Sequence, residues 1–561
     1  MFMSNVVNKE NLRGVQSETL QFLAEALKPS FGPDGSNTTI SGGTQALTRY
    51  TKDGKSILSK VMLMGEIEES VRNDLYEITR SVVKNVGDGT TSAVILSHII
   101  FEELRKYKTS LTPFQLTREF QKTVNDIMKN IRSRAKELDL DSVYKIALVS
   151  TNGNERIAEA LRDIYEKFGM GVFIDVAVSS SGDTAIKEYN GMNLETGYMD
   201  PSFVNAPKNL CSIPNPRIYT FIDPVNTPDQ IRFLDKIIYD NIMVGLNSRD
   251  IKKIVPTVIL VPSISRDLSA YIDNLVGMFA QQGIDSRLPL CIVNNIIQTD
   301  QYMDIIKMIG GKPIRKYIDK ETYNDMVTKG VAPTLENVSE FYGTCELFEA
   351  SSDRSKFINP SDMRDENGEY TKNFKNHLEW LENELKKRVE GGGPAHEIGE
   401  IKRRIQSLKA NLVEFHIGGI SAADRDSVRD LVEDAVLNIR SAAEHGFGMA
   451  SNVEGLIASS KVDTDLGKII HKSYKELIGV LYENSNITDG DMIINQLIEN
   501  DGVSVYDVLK KEFSTNIIGS IEADCAILDA IAKILTLLFT SNQYLCTNIV
   551  EANRYNIKST K

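Results

Sequence analysis

The chain has 561 residues, 41% of them hydrophobic and 25% charged. That is the balance of a soluble globular protein with room for three domains of ordinary size. Its formal net charge of −13 argues against general nucleic-acid binding, which needs clustered Lys and Arg to release counterions. The opening "MFMSNVVNKENLRG" has no basic segment followed by an apolar core, so no signal peptide is expected.

In chain order, the first third reads as helical. "SETLQFLAEALKPSF" (17–31) places Leu20, Leu23, Ala24 and Leu27 on one face and stops at Pro29. "EESVRNDLYEITRSVVKNV" (68–86) repeats that spacing, "TSAVILSHIIFEELRKY" (91–107) is more apolar, and 113–138 reads as one long amphipathic helix with a basic end. The middle changes character. "GVFIDVAV" (171–178), "RIYTFID" (217–223), "TVILVPS" (257–263) and "PLCIVNN" (289–295) are short strand-like runs. They alternate with helical stretches at 229–242 and 266–283, the pattern of an α/β domain. Two charged helical segments flanking "GGGPA" within 373–415 read as an antiparallel helical hairpin. Helices return at 425–446 and 467–483, and the end holds an apolar helix and a strand-like "QYLCTNIV" (543–550). The apolar run at 525–539 contains Asp529 and Lys533; it is too short and too charged to span a bilayer and reads as a buried helix. The five scattered cysteines, with no CxxC, read as small core residues of a reducing compartment. The fold class expected is therefore multidomain, α and α/β, with a middle domain inserted into a helical one.

Three polar loops interrupt the helical first third. "DGKS" (53–56) ends like a Walker A loop, but Arg49 occupies the place of that motif's first glycine, so the P-loop reading fails. "PSFGPDGSNTTI" (29–40) is a rigid turn whose backbone N–H groups can face a phosphate. "TKDG" (51–54) puts Asp53 before a glycine and alone reads as a simple turn. "VGDGTTSAVIL" (86–96) sets Asp88 between Gly87 and Gly89, just before Thr90 and Thr91 at a helix start. Free N–H groups there attract an anion, and a carboxylate suits the Mg²⁺ of a nucleotide; a plain helix cap is the alternative for Asp88. Together the loops could supply the phosphate cradle and the metal that phosphoryl transfer to water requires, with Asp53 a candidate to orient the water.

The segments "SFGPDGSNTTI", "YTKDGKS", "VGDGTTSAVIL", "YNGMNLETGYMDPSFVNAP" (189–207) and "VEDAVLNIRSAAEHG" (432–446) resemble, in order and spacing, the group I chaperonins of the GroEL and Hsp60 type. The likeness is strong in the first 110 residues, at 189–207 and at 425–446, and weak elsewhere. It implies a GroEL-like architecture: a discontinuous helical equatorial ATP-binding domain (1–134 and 445–561), a small α/β intermediate hinge domain (135–190 and 412–444) and an α/β apical substrate-binding domain (191–411). It further implies a cytoplasmic ATPase that assembles as a heptameric ring, single or double, and encloses non-native polypeptide clients, with no nucleic-acid or membrane partner.

Site roles follow from the same resemblance. Ser30, Phe31, Gly32 and Pro33 would contact ATP, with Lys52 and Gly54 beside the nucleotide and a K⁺ site near Lys52. Asp88 would hold Mg²⁺; Gly89, Thr90, Thr91 and Ser92 would cradle phosphates; Ser150 would be a further contact. Asp434 would be the catalytic carboxylate on the hinge domain and Asp53 the second, although an amphipathic helix alone would leave Asp434 a solvated residue. Tyr198, Phe203, Leu234, Ile238, Leu268 and Ile272 would line an exposed apolar groove for clients, with buried core as the alternative for the four helix residues.

Several positions depart from the pattern. The family's glycine triplet reads Ala450, Ser451, Asn452; the ribose-holding Asp appears as Glu522, with Asp524 as rival; and Asp507 is the best adenine-side match. Ser202 and Asp235 replace groove residues, and the basic apical loop reads "NNIIQTDQY" (294–302). The chain is shorter than the pattern after Asn452 and lacks the Gly-Met tail, so double rings and dependence on a co-chaperonin lid are left open. These departures suggest a divergent member, with a viral source as one expectation and a ring-forming holdase or scaffold without productive ATP cycling as the alternative function.

Overall fold

Helical periodicity becomes packing most directly in Glu522–Thr540, the helix expected from the apolar run. Cys525, Ile527, Leu528, Ile531 and Leu535 are buried along it, each worth about 1.5–3 kcal/mol for the larger side chains. It packs against helices Pro113–Arg132, Glu66–Val86 and Thr90–Lys106, and Phe539 meets Phe101 with ring centroids 5.0 Å apart. Among the described residues no helix is long and apolar enough to cross a membrane.

The computed structural model describes residues 5–41, 49–87, 89–179, 184–248, 250–264, 270, 272, 274, 277, 289–294, 299–316, 333–392, 394–409, 411–418, 422–547 and 549–558. They form two units, one of Met1–Met170, Val176–Ala185 and Phe415–Lys561, the other of Gly171–Asp175 and Ile186–Glu414. An α/β unit is thus inserted into a helical unit that uses both flanks of the sequence.

In the helical unit, Lys9–Leu27 starts eight residues before the periodic segment read from sequence, because Asn8 caps it by accepting from Asn11 N at 3.0 Å. Pro113–Arg132 opens with a Thr112–Gln115 capping box. It ends earlier than periodicity suggests: Arg134 turns back to Glu454 and Asp501, and Lys136 N donates to Phe447 O at 2.9 Å. The segment expected as a final strand is a two-residue strand, Tyr544–Leu545, paired with Val6–Val7, followed by helix Ile549–Lys558. Tyr555 in that helix donates to Glu68 at 2.5 Å, so side-chain anchoring overrides the strand pattern.

The α/β unit is built on a mixed sheet. The parallel run Arg217–Thr220, Thr257–Leu260, Leu290–Val293 has its last two strands buried on every residue, the pattern of strands covered on both faces. Tyr342–Ala350 pairs antiparallel with Arg217–Thr220, with Cys211–Pro214 and with Ser355–Pro360, which pairs with Ala185–Leu194. Helices Pro228–Ile238 and Thr299–Ile309 pack on this sheet around Phe221, Phe233 and Phe341. The expected hairpin is present as Lys372–Glu390 and Ala395–Lys409. Asp304, 1% exposed, ties it down: Arg404 donates to it at 2.8 and 2.9 Å, and His377 Nε2 lies 2.7 Å away. The helix expected at 266–283 falls almost wholly outside the described residues. All five cysteines are free and buried, as their spacing suggested.

Two stability changes follow. A methyl added at Gly455 would lie 2.2–2.4 Å from the buried Tyr474 ring, so Gly455→Ala is expected to destabilise the helical unit by about 1–3 kcal/mol in thermal denaturation. Asp304→Ala removes the buried one of the two carboxylates paired with the largely buried Arg404, leaving only the exposed Asp300, and should cost the α/β unit about 3 kcal/mol. Trp380, the single tryptophan, stacks on His377 at 5.9 Å, so its fluorescence reports that unfolding directly.

Candidate functional site

A cavity of about 710 Å³ opens within the helical unit, inside the roughly 300–1,000 Å³ range of small-molecule sites. Its lining draws together Ser30, Phe31, Gly32, Pro33, Lys52, Asp53, Gly54, Gly89, Thr90, Thr91, Ser92, Ser150, Asp434, Ser451 and Asp507. These are residues picked from sequence, and they come from seven separate stretches of the chain.

The first wall is the turn after Lys9–Leu27. Pro29 tightens the chain into a 3-10 turn, Lys28–Ser30, and the buried Ser30 hydroxyl donates to Leu27 O at 2.8 Å. Gly32 has φ +88, and a Cβ there would lie 2.3 Å from Leu481 Cδ1, so only glycine fits both the backbone and the space. Asn484 Nδ2 holds the turn at Lys28 O (2.8 Å) and Phe31 O (2.9 Å), and Lys52 Nζ donates to Pro33 O at 3.0 Å. Asp53 accepts from Lys55 N at 3.2 Å and Ser56 N at 2.9 Å. It is therefore the N-cap of helix Gly54–Lys60 as well as a cavity residue.

The floor is the start of helix Thr90–Lys106. Its N-cap, Gly89, is left-handed at φ +106 and offers no side-chain cap, so the first-turn N–H groups of the helix have no capping acceptor on Gly89. Among the described residues the buried Thr90 hydroxyl has no hydrogen-bond partner. A buried polar orphan beside a helix start with no side-chain cap from Gly89 fits an anionic ligand such as a phosphate. Asp88 lies outside the described residues. Among the described residues no group of three or more His, Cys, Asp and Glu could hold a metal ion.

The opposite wall is helix Ala422–His445 with helix Leu140–Ser150. Gly87, at φ +85, lets the two sides meet: a Cβ there would lie 2.7 Å from Asp434 O and 2.8 Å from Leu437 Cβ. Asp434 lines the cavity one helical turn before Asn438, which donates from Nδ2 to Ser150 Oγ at 3.2 Å. Asp507 accepts from Leu509 N at 3.0 Å and Lys510 N at 3.1 Å, fixing the far turn. Next to it Tyr506 packs edge-on to Tyr482 and Phe513, at 6.0 and 5.4 Å.

Two expectations need correction. Glu522 is not brought to the cavity; it receives two hydrogen bonds from Arg132, at 2.6 and 3.0 Å. Residues two apart on a helix differ by about 200° around its axis, so its rival Asp524 faces the cavity instead and accepts from Gly455 N at 3.2 Å. In the α/β unit, Tyr198, Phe203, Leu234, Ile238 and Ile272 are not an exposed groove but buried core, from 0% to 9% exposed. On Pro228–Ile238 the buried face is Gln230, Phe233, Leu234, Ile237 and Ile238, while Arg232, Asp235 and, just past its end, Tyr239 are exposed. Leu268 lies outside the described residues.

Sequence reasoning missed Asn438, Leu481, Tyr506 and Asn516, which also line the cavity. None sits in a loop motif, and only their arrival beside those loops marks them.

Residues 23–243 match the model of the TCP-1/cpn60 chaperonin family. Mitochondrial chaperonin CPN60-1 of Cucurbita maxima is 22% identical over 519 residues, covering 89% of this chain and 82% of that protein. Mitochondrial chaperonin CPN60-like 1 of Arabidopsis thaliana is 22% identical over 520 residues, covering 90% and 80%. Among solved structures, the chaperonin gp146 of bacteriophage EL, crystallised in the presence of ATP-BeFx, shares the fold. In one crystal form the TM-score is 0.70 at 17% identity over 97% of this chain and 99% of that one. In the other it is 0.64 at 16% identity over 98% and 100%. Over residues 23–243 the chain is thus similar to the TCP-1/cpn60 chaperonin family, and as a whole it has the fold of a chaperonin.

Proposed function

We propose that the protein is an ATP-hydrolysing chaperonin subunit that assembles into a heptameric ring and binds, encloses and releases non-native polypeptides. The observation that carries this reading is the single cavity lined by Ser30–Pro33, Lys52–Gly54, Gly89–Ser92, Ser150 and Asp434. The start of helix Thr90–Lys106 and the Thr90 hydroxyl would hold phosphate oxygens, and Asp88 would carry Mg²⁺, which neutralises charge on the transferred phosphoryl group. Asp434 and Asp53 would orient the attacking water and take its proton as the γ-phosphoryl bond to ADP breaks. Residues 135–190 and 412–444 would then act as the hinge that brings Asp434 to the nucleotide, and 191–411 as the client-binding domain. Client capture needs exposed apolar surface; among the described residues of the α/β unit Ile186, Tyr239, Val244, Leu335, Trp380 and Val389 are large exposed side chains that could give it, from 40% to 54% exposed.

A second reading, a ring-forming holdase without productive cycling, draws on one observation. Ser451 and Asn452 both have left-handed backbones, φ +61 and +63, where neither is glycine. Such conformations cost about 1–2 kcal/mol per residue, less for Asn, and stiffen the wall nearest Ser92, to which Asn452 Nδ2 donates at 3.2 Å.

Nucleotide binding, turnover and assembly test these readings. Asp434→Ala should leave ATP binding near the level of the unmodified chain while slowing hydrolysis at least about 100-fold; unchanged turnover would remove Asp434 from the mechanism. Asp88→Ala should abolish Mg²⁺-dependent nucleotide binding, and retained affinity would return it to a helix cap. Ser451→Gly should raise thermal stability by about 1 kcal/mol, and no measurable ATPase in the unmodified chain would favour the holdase. Electron microscopy with and without ATP tests ring number and symmetry.

A further inference from the structure

The geometry points to Asn438 as a positioning residue that sets the direction of the Ser150 hydroxyl and so makes Ser150 a hydrogen-bond donor to the ligand in the cavity. This rests on the nucleotide reading of that cavity. Asn438 is 7% exposed and one turn beyond Asp434 on the same helix face. Its amide spans two other cavity walls. Ser520 N donates to Oδ1 at 2.7 Å, and Nδ2 donates to Ser150 Oγ at 3.2 Å. Three residues further along the helix, the Ser441 and Ser520 hydroxyls meet at 2.7 Å, which holds the Ser520 strand in register with the helix.

The polarity of this relay is fixed by one group. A backbone N–H can only donate, so the amide edge facing Ser520 must be the carbonyl oxygen. The NH₂ edge then faces Ser150, whose oxygen must accept. The Ser150 proton is thereby directed away from Asn438, and Ser150 lines the cavity. A hydroxyl held as a donor selects an acceptor: a phosphate or ribose oxygen rather than an amino group. The same relay ties the helix carrying Asp434 to the ends of Leu140–Ser150 and Ile518–Ser520. Placement of the carboxylate and orientation of the ligand contact therefore share one side chain.

The test is a double-mutant cycle read by calorimetric binding of Mg·ADP. Asn438→Ala should weaken binding about tenfold when Ser150 is intact and less than about twofold in the Ser150→Ala background, because the relay then has no hydroxyl to direct. Equal loss in both backgrounds would reduce Asn438 to a structural staple and overturn the inference, since a purely structural role gives additive effects. If Asn438→Ala does not fold, Asn438→Asp keeps the acceptor for Ser520 N while forcing Ser150 to donate to the new carboxylate. Measured at high salt to screen the added charge, it should show the same dependence on Ser150, and its absence overturns the proposal. No Mg·ADP binding by the unmodified chain would overturn the nucleotide reading and this inference together, whereas normal binding with additive losses overturns this inference alone.

Discussion

The first turn of helix Thr90–Lys106, whose N-cap Gly89 has no side chain to cap it, is the constraint around which the helical unit is arranged. Beyond that turn the helix is fully committed to the core: Ala93 to Leu96 and Ile99 to Phe101 are all buried. It cannot slide to find a cap, and its N-cap residue is a left-handed glycine with no side chain to offer. Its N–H groups therefore face whatever the neighbouring loops enclose. Those loops come close because glycines permit it. Gly54 lies where a Cβ would sit 2.4 Å from Thr91 Oγ1, and Gly87 where one would strike Asp434 O. The cavity exists because a buried helix begins beside these loops and two glycines, Gly54 and Gly87, let other chain segments crowd that beginning.

Much of this was legible in sequence. Glycine punctuation, a 3.6-residue apolar rhythm and β-rich runs follow local rules, so most of the described helices, four of the nine strands of the large sheet and the charged hairpin could be read directly, while strands such as Tyr342–Ala350 and Ser355–Pro360 were not. The loops that line the cavity were legible for the same reason, since glycines break the helical rhythm at each of them. What could not be read was facing. Leu234 and Ile238 belong to an amphipathic helix whichever way it turns, and only the sheet beneath decides that they are core while Asp235 is solvated. Glu522 and Asp524 are equivalent in sequence as acidic residues of a first turn; Arg132, some 390 residues away in the chain, claims one and leaves the other for the cavity. Asp53 caps a helix and also lines the cavity, so its place in a turn does not keep it from the site.

The burial of the expected groove residues also bears on how a client could be held. Along helix Pro228–Ile238 and the residue after it, the outward Arg232, Asp235 and Tyr239 offer a mixed surface rather than a continuous apolar one. Single aromatic side chains flanked by charge can still engage short apolar segments of a non-native chain, because each ring carries a large apolar area beside polar neighbours. Such a surface binds more weakly per contact and releases more readily. It suits a chaperone in which several copies of the same unit contribute to one client through multivalency.

The replacement of glycines at Ser451 and Asn452 is best understood together with Asn438. A glycine triplet leaves a wall free to adjust around a ligand; two left-handed non-glycine residues hold it in one conformation, at a cost that surrounding contacts must offset. Asn452 supplies one such contact, to Ser92 at the helix start. Asn438 supplies another on the opposite side, between Ser150 and Ser520. Both asparagines cross-link segments that come from distant parts of the sequence, and both do so at the edge of the same cavity. The adaptability that backbone freedom would give has been exchanged for side-chain hydrogen bonds. Any ligand-linked movement of this wall would have to break or re-form specific amide contacts, a more switch-like change than a wall of glycines would undergo.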